Sequence, residues 1–205
     1  MFDRRFFDAS AVEVAPLLLG AVLRHGTAAG SVAVRVTEVE AYLGEADPGS
    51  HAYRGPGKRN AVMYGEPARL YTYFTYGMHV CANVTCSPAG TASAVLLRGA
   101  EVIDGIELAR DRRQTSKTHA DLARGPARLV VALGITLDDG GADLAASPFE
   151  LTLAPHPLPF ETGPRTGVSG AGGSHDYPWR FWLPGERSVS PYRAHLPKRG
   201  PAHPA

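Results

Sequence analysis

The chain has 205 residues, which fits one domain rather than two. Its 21 Lys and Arg nearly balance its 20 Asp and Glu, for a net charge of +1, and 44% of its residues are hydrophobic. These values exclude a disordered polyelectrolyte and a protein that coats nucleic acid through overall charge alone. No apolar run approaches the roughly 20 residues of a membrane helix and no secretory signal is visible, so we expect a cytoplasmic protein.

The first predicted element is a helix over residues 9–23. Ser10 and Glu13 have the spacing of a capping box, which satisfies free amide groups at the start of a helix. Three leucines follow and supply an apolar face. Pro16 and Gly20 are expected to shorten or kink this helix, because proline lacks an amide donor and glycine is conformationally permissive.

A strand is predicted over residues 31–37, where apolar and polar residues alternate. The alternation continues to Glu38 and Glu40, which would place two carboxylates on the apolar face of the strand. A buried carboxylate is costly without a partner. Arg98, at the end of a strand predicted over residues 93–98, is a natural counter-ion. The pair is either a structural salt bridge or a base at a strand end that opens onto a polar loop.

The chain contains 23 Gly and 17 Pro, and many of them lie in residues 44–69. This composition predicts a long, turn-rich loop there. Loops of this length inside a compact domain are usually functional or disordered. The loop carries aromatic, basic and amide side chains that are unusual for a loop that only connects two strands: His51, Tyr53, Arg54, Lys58, Arg59 and Asn60. A β-hairpin is predicted next, with strands over residues 70–76 and 79–86 joined by a tight turn at Gly77 and Met78.

The two cysteines, Cys81 and Cys86, are not expected to form a disulfide. Five extended steps separate their Cα atoms by more than the bridging limit of about 7 Å. Their odd spacing also places them on opposite faces of a strand, which argues against a zinc site with His51 and His79. We therefore predict no metal and no cofactor.

The remaining predicted elements are helices over residues 104–113 and 126–133 and short strands near residues 165–169 and 180–183. Residues 162–205 carry six basic and two acidic side chains, so this end is basic although the whole chain is balanced. A Pro-rich basic tail over residues 193–205 is expected to be poorly ordered.

Several motifs occur along the chain in a fixed order: residues 36–44 (VTEVEAYLG), 50–55 (SHAYRG), 59–63 (RNAVM), 70–78 (LYTYFTYGM), 94–98 (AVLLR) and 125–129 (GPARL). Together they resemble the alkyladenine (3-methyladenine) DNA glycosylase family, most densely from about residue 32 to about residue 135. The resemblance implies an α+β fold: a single domain over residues 1–192, with a curved antiparallel sheet, flanking helices and a protruding β-hairpin.

The resemblance also implies a function. Enzymes of this family remove alkylated or deaminated purines, of the 3-methyladenine, 7-methylguanine and hypoxanthine class, from double-stranded DNA as the first step of base excision repair. They flip the damaged nucleotide out of the helix, because a glycosidic bond inside stacked DNA is out of reach. A monomer acting at the bacterial nucleoid is expected.

Residue roles follow from the same resemblance. Glu40 would activate the hydrolytic water, and Arg98 would hold that water and the carboxylate. The pocket for the flipped base would consist of Tyr42, His51, Tyr73, Asn83 and Leu96, with Asn83 screening purines. At the hairpin tip, Tyr76 would fill the gap left in the duplex, beside Met78. Contacts to the DNA backbone are expected from Arg54, Lys58, Arg59 and Arg128, together with the basic C-terminal stretch.

An associated lyase activity would need a nucleophilic amine. The chain contains only Lys58, Lys117 and Lys198, none of them on the presumed pocket strands, so the prediction is a monofunctional glycosylase. Two other functions stay open: a non-catalytic module that binds damaged DNA on the same scaffold, and an unrelated hydrolase that uses the glutamate pair. The net charge of +1 predicts few phosphate contacts and a shallow salt dependence of DNA affinity.

Overall fold

The fold is organised around one long central strand. The computed structural model describes residues 3–75 and 77–196, so the wedge candidate Tyr76 and the tail from residue 197 lie outside the described residues. Strand β2 (Gly30–Tyr42) pairs along one side with β5 (Ser93–Asp104). On its other side it pairs first with β1 (Val22–Thr27) and then with β8 (Arg180–Trp182).

The other strands extend this arrangement into one antiparallel sheet. The hairpin of β3 (Leu70–Thr75) and β4 (His79–Cys86) joins β5, β6 (Phe149–Thr152) joins β1, and β7 (Glu161–Gly163) pairs with β8. The sheet curls into a half-barrel within a single domain. The prediction of an α+β fold with a curved antiparallel sheet and a hairpin is therefore confirmed.

Three short α-helices pack on the sheet: α1 (Ala11–Val14), α2 (Ile106–Arg112) and α3 (Pro126–Leu133). The bounds of α3 are those predicted, because Pro126 begins it and Gly134, with φ of +72°, ends it in the left-handed conformation. Among the residues that the structure describes, no helix has the length and apolar character needed to cross a membrane.

The predicted helix over residues 9–23 is wrong in its extent. Glu13 accepts the Ser10 amide at 3.0 Å, as the capping box requires, but α1 ends at Val14 and continues only as a 3-10 helix over Ala15–Leu18. Pro16 interrupts the amide ladder, and Gly20, with φ of +78°, turns the chain into β1. The two residues expected to shorten the helix therefore end it.

The predicted strand over residues 165–169 is also wrong. The short strand of this region is β7, which ends at Gly163, and the chain after it runs through turns. The Arg165 side chain is drawn into the protein interior, and Gly167 adopts φ of +72°, a conformation incompatible with an extended strand.

A β-bulge in the pairing of β2 with β5 determines which side chains of β2 face the core. The core-facing side chains of β2 are Val32, Val34, Val36, Val39 and Ala41. Val36 and Val39 are three positions apart, whereas regular alternation would place core residues two positions apart. The ladder shifts register on both sides of Glu38, which lies opposite Gly99. The prediction that Glu38 and Glu40 continue the apolar face is therefore wrong: the bulge turns both carboxylates to the opposite face of the sheet.

Helix α3 offers a matched pair of residues for a test of this core. Leu129 is fully buried, whereas Val131 on the same helix is 43% exposed. We expect Leu129→Ala to lower the free energy of unfolding by about 2–5 kcal/mol, because it leaves a cavity. Val131→Ala should change it by less than about 0.5 kcal/mol. Urea denaturation followed by circular dichroism measures both, and equal losses would contradict this packing.

Candidate active site

A cavity of about 510 Å³ opens on the face of the sheet that carries the two glutamates. Its volume lies in the range typical of ligand pockets. Alternate residues of β2 to β5 form its floor, and the loop after β2, the start of α3 and residues 166–169 form its walls. The structure brings these predicted site residues together around it: Glu40, Tyr42, His51, Tyr73, Asn83, Leu96, Arg98 and Arg128.

The first glutamate, Glu38, lies on this face of the sheet but does not line the cavity. Its fully buried carboxylate accepts hydrogen bonds from Arg98 Nε at 3.1 Å and Arg180 Nε at 2.6 Å. Ser190 donates both its amide, at 2.7 Å, and its hydroxyl, at 3.0 Å. Three of these donors meet Oε1 and the Ser190 amide meets Oε2, so both oxygens are bonded inside the protein. Glu38 is not among the residues that line the cavity and is therefore a structural anchor.

The second glutamate, Glu40, lines the cavity and keeps acceptor capacity. Its Oε1 accepts the backbone amide of Thr166 at 2.7 Å and lies 3.5 Å from Arg98 Nε. Its Oε2 accepts only the Tyr42 hydroxyl, at 2.9 Å, among the residues described. Burial, followed by the charge of Glu40, raises the pKa of Tyr42 well above its usual value, so the phenol stays protonated and donates. Glu40 is held as a carboxylate with a lone pair free for a water molecule.

Arg98 links the two carboxylates. Burial alone would lower its pKa, but the charges of Glu40 and Glu38 outweigh this effect and raise it, so the guanidinium stays cationic. Its Nε lies between the carboxylates, and within the described part of the chain no residue accepts a hydrogen bond from its terminal nitrogens. These terminal nitrogens are available as donors to a molecule in the cavity, whose lining includes Arg98.

A second buried ion pair, which sequence reasoning missed, holds the wall beside Glu40. The guanidinium of Arg165 binds Asp47 through two hydrogen bonds of 2.5 and 2.7 Å, and both side chains are fully buried. Its other N–H groups bond to the carbonyls of Ala41 and Gly172, so all five donors are used. The cation also lies 4.5 Å from the ring centroid of Tyr42. This pair fixes the long loop and the Tyr42 ring.

No sequence signal could have predicted that pair. Asp47 and Arg165 are 118 positions apart, and neither belongs to a spacing motif. Their burial is established only by the fold, in which the loop after β2 and the glycine-rich segment meet. Gly49 permits this meeting, because a Cβ there would lie 2.5 Å from Arg165 Nη2.

Aromatic rings form one wall of the cavity. The His51 imidazole Nδ1 lies 3.1 Å from the Tyr71 hydroxyl, and its ring meets the Tyr73 ring edge-on at a centroid distance of 4.4 Å. Partial burial, followed by the charge of Arg59, lowers the pKa of His51 from 6.5 to about 4, so the ring is neutral at physiological pH. Burial raises the pKa of Tyr73, whose phenol also stays neutral. Tyr71 lines the cavity as well, although it was not predicted as a site residue.

The cavity floor is formed by alternate residues of β4 and β5. Asn83 is buried and donates one amide hydrogen to the Tyr71 carbonyl at 2.9 Å, which leaves its other N–H and its oxygen for a ligand. Leu96 lies opposite it in the ladder. The predicted arrangement of the cysteines is confirmed: Cys81 faces the cavity, Cys86 lies in the core, and both are free thiols. Burial raises the pKa of both thiols, so they are poor nucleophiles.

The predicted DNA-contacting residues occupy exposed positions. Arg54, Lys58 and Arg59 project from the loop, and Met78 at the hairpin turn is 69% exposed. Arg128 lines the cavity but is paired with Asp121. The predicted wedge, Tyr76, lies outside the described residues.

Arg124, which the sequence did not single out, also lines the cavity mouth, beside α3. Its Nε donates to the Val189 carbonyl at 2.8 Å.

The expectation that the whole basic C-terminal stretch contacts DNA is wrong for two of its arginines. Arg165 and Arg180 are buried, 1% and 4% exposed, and neutralise Asp47 and Glu38 inside the protein. Burial of each arginine depends on a partner that the sequence could not reveal. The boundary of the predicted tail at residue 193 stays a prediction. Within residues 3–75 and 77–196, no three His, Cys, Asp or Glu side chains are grouped as a metal site would require.

The cavity combines a carboxylate with free acceptor capacity, an arginine and a wall of neutral aromatic rings, which suits a flat, electron-poor ring held beside a base. The sequence model of the family described as Methylpurine-DNA glycosylase matches residues 5–187. The chain belongs to this family.

Curated relatives are similar over nearly their whole length and carry the name "Putative 3-methyladenine DNA glycosylase". The protein of Leifsonia xyli is 66% identical over 202 residues, which cover 96% of this chain and 95% of the relative. That of Streptomyces avermitilis is 53% identical, with coverage of 96% and 93%. That of Nocardia farcinica is 55% identical over 186 residues, with coverage of 86% and 84%.

The titration of His51 tests the geometry of the aromatic wall. Because its folded-state pKa of about 4 lies below 6.5, the unfolded chain binds the proton first, and the stability contributed by this group falls as pH drops from 6.5 toward 4. We expect the imidazole NMR signals of His51 to stay unchanged from about pH 8 to about pH 5. Arg59→Gln should raise the midpoint only in part, because burial is the larger cause. A midpoint near the ordinary value would contradict this wall.

Proposed function

We propose that this protein is a monofunctional DNA glycosylase that flips alkylated or deaminated purines out of double-stranded DNA and hydrolyses their N-glycosidic bond with a water activated by Glu40. The observation that carries this proposal is the contrast between the two glutamates. Glu38 has four donors and does not line the cavity, whereas Glu40 lines the cavity with acceptor capacity left. Of the two, only Glu40 can take a proton from a water beside a bound nucleotide.

For an alkylated purine that carries a positive charge, the proposed reaction balances with these groups alone. The bond between C1′ and the ring nitrogen breaks, its electron pair leaves with the purine, and the sugar becomes oxocarbenium-like. The water oxygen then forms a bond to C1′ while Glu40 accepts the proton, which gives free base and an abasic site. Alkylation at a ring nitrogen places positive charge on the purine, so that it leaves with little acid catalysis. Arg98 would orient the water and the carboxylate.

The neutral aromatic wall supports selection of such bases. The faces of Tyr42 and Tyr73 attract an electron-poor or cationic ring by about 0.5–2 kcal/mol. A cationic His51 would repel an alkylated purine, and the lowered pKa of His51 prevents this at physiological pH. The remaining N–H of Asn83 would face the exocyclic amine of guanine, and because both groups are hydrogen-bond donors they would repel each other. This repulsion would select against guanine.

The proposed contacts with DNA are confined to the surface around the cavity. Arg54, Lys58, Arg59, Arg124 and Arg128 surround the loop and the cavity mouth, and Tyr76 with Met78 would fill the vacated stack. With few phosphate contacts, the salt dependence of affinity is expected to be shallower than that of proteins with about 6–10 such contacts. We expect a monomer that acts at the bacterial nucleoid.

Glu40→Gln tests the role of the base. We expect release of free purine from duplexes that carry 7-methylguanine or hypoxanthine to fall by about 10²–10⁴-fold, because the amide cannot accept the proton. Affinity for the lesion duplex should be kept, since the shape of the side chain is unchanged. Base release is measured by chromatography under single-turnover conditions and affinity by fluorescence anisotropy.

Glu107→Gln serves as the matched control, because Glu107 lies on α2 with its side chain 82% exposed. It should release base at the wild-type rate. Wild-type release by Glu40→Gln would contradict the proposed mechanism. Lesion binding without any release by the wild-type protein would instead identify a non-catalytic module.

The absence of lyase chemistry is a separate prediction. Lys58 and Lys117 do not line the cavity, and Lys198 lies outside the described residues. Without an amine at C1′ no Schiff base forms, so borohydride should trap no covalent complex with lesion DNA. A trapped complex that Lys58→Arg abolishes would refute the monofunctional assignment.

A further inference from the structure

A short C-terminal segment packs directly behind the catalytic centre. Residues 188–193, which we call the C-terminal strap, lie beyond the family match that ends at residue 187. Its two serines are nonetheless among the buried residues: Ser188 is 2% exposed and Ser190 is 7% exposed. Hydrogen bonds tie the strap to β2, to the cavity mouth and to the wall beside Glu40, through Ser188 to Thr37, Val189 to Arg124, and Arg193 to Gly167.

Ser190 is the centre of these contacts. Its amide and its hydroxyl donate to the two oxygens of Glu38 at 2.7 and 3.0 Å. Its carbonyl accepts Arg180 Nη2 at 2.7 Å, while Arg180 Nε donates to the same carboxylate at 2.6 Å. One residue of the strap therefore binds both members of a buried ion pair.

The sheet is shaped to admit the strap. Gly99 lies opposite Glu38 at the bulge, and a Cβ at this position would be 2.8 Å from the Ser188 carbonyl and 3.0 Å from Glu38 Oε2. The first distance is shorter than real Cβ contacts, and the second is tighter than most of them. The missing side chain at Gly99 lets the strap reach the carboxylate.

Glu38 in turn controls Arg98. The Arg98 Nε lies 3.1 Å from Glu38 and 3.5 Å from Glu40, so the two carboxylates compete for one donor. Each donor that Ser190 and Arg180 supply to Glu38 reduces its pull on Arg98. Without the Ser190 hydroxyl, the Glu38 oxygen that it serves is less well satisfied, and the guanidinium is drawn away from Glu40.

We propose that Ser190 is a positioning residue for hydrolysis, which acts through Glu38 to keep Arg98 on Glu40 and on the attacking water. The inference depends on the proposed function of this cavity. Since Ser190 is buried and does not line the cavity, it would not contact a bound nucleotide, and its effect is on the chemical step rather than on binding.

The test is a single-turnover assay of base release from a hypoxanthine duplex over a range of enzyme concentrations. For Ser190→Ala we expect the limiting rate to fall about tenfold, because a hydrogen bond to a buried charge is lost, while the half-saturating enzyme concentration is unchanged. Ser190→Thr keeps the hydroxyl and should restore the rate to within about twofold. Thr152→Ala, at an exposed position of the far edge strand β6, is the control and should match wild type.

Arg180→Lys keeps the charge but loses the Nε donor, and it should slow the limiting rate in the same way. It also provides a second measurement if Ser190→Ala does not fold. A limiting rate of Ser190→Ala within twofold of wild type would overturn the inference, as would a rate loss that Ser190→Thr does not restore. An inactive wild-type protein would refute the proposed function itself, whereas an active wild type with unaffected variants would refute only the role of Ser190.

Discussion

The structure depends on one buried arrangement of charges: Glu38, Arg98 and Glu40, closed at the rear by Arg180. An unpaired charge in the interior costs several kcal/mol, and two neighbouring carboxylates would repel each other as well. Two guanidiniums against two carboxylates make the group neutral. Because four donors hold Glu38 in place, Glu38 fixes Arg98 from one side, and Glu40 is the carboxylate of the two that lines the cavity. The asymmetry between two glutamates two residues apart is therefore created by their partners.

This arrangement explains the irregular geometry of the central strands. A regular β2 would continue its valine face into Glu38 and Glu40 and bury both carboxylates among apolar side chains. The bulge that pairs Glu38 with Gly99 turns them to the cavity face and returns Val39 to the core. The same bulge leaves β5 free to present Arg98 to both glutamates. The bulge interrupts the regular pairing of β2 with β5, and it places the two carboxylates beside their cationic partners.

The sequence predicted the elements whose signals are local. The hairpin over residues 70–86, helix α3 and the Ser10 cap follow from alternation, turn residues and capping chemistry within a few positions of each other. The members of the cavity came from motif resemblance, and the structure places them around one space. The pairs Asp47 with Arg165 and Glu38 with Arg180 could not be predicted, because their members are separated by more than 100 positions and neither has a spacing signature. Long-range pairing also explains the wrong strand over residues 165–169, since Arg165 is drawn inward where a strand was expected.

These buried pairs also change the meaning of the net charge. Arg98, Arg165 and Arg180 are neutralised inside the protein by Glu38, Glu40 and Asp47, so they are not available to phosphates and the net charge of +1 belongs to the remaining residues. The exposed arginines and the lysine that remain near the cavity are concentrated on the loop and beside α3. A protein with such a surface gains little from sliding along DNA by charge alone. In the proposed function, discrimination arises after the base has entered the cavity, where the neutral aromatic rings and the Asn83 amide would contact the base and Glu40 would act on the hydrolytic water. In the proposed mechanism, recognition depends on the aromatic wall and Asn83, whereas hydrolysis depends on the position of Arg98 beside Glu40, so a change at Ser190 alters the rate and leaves binding unchanged.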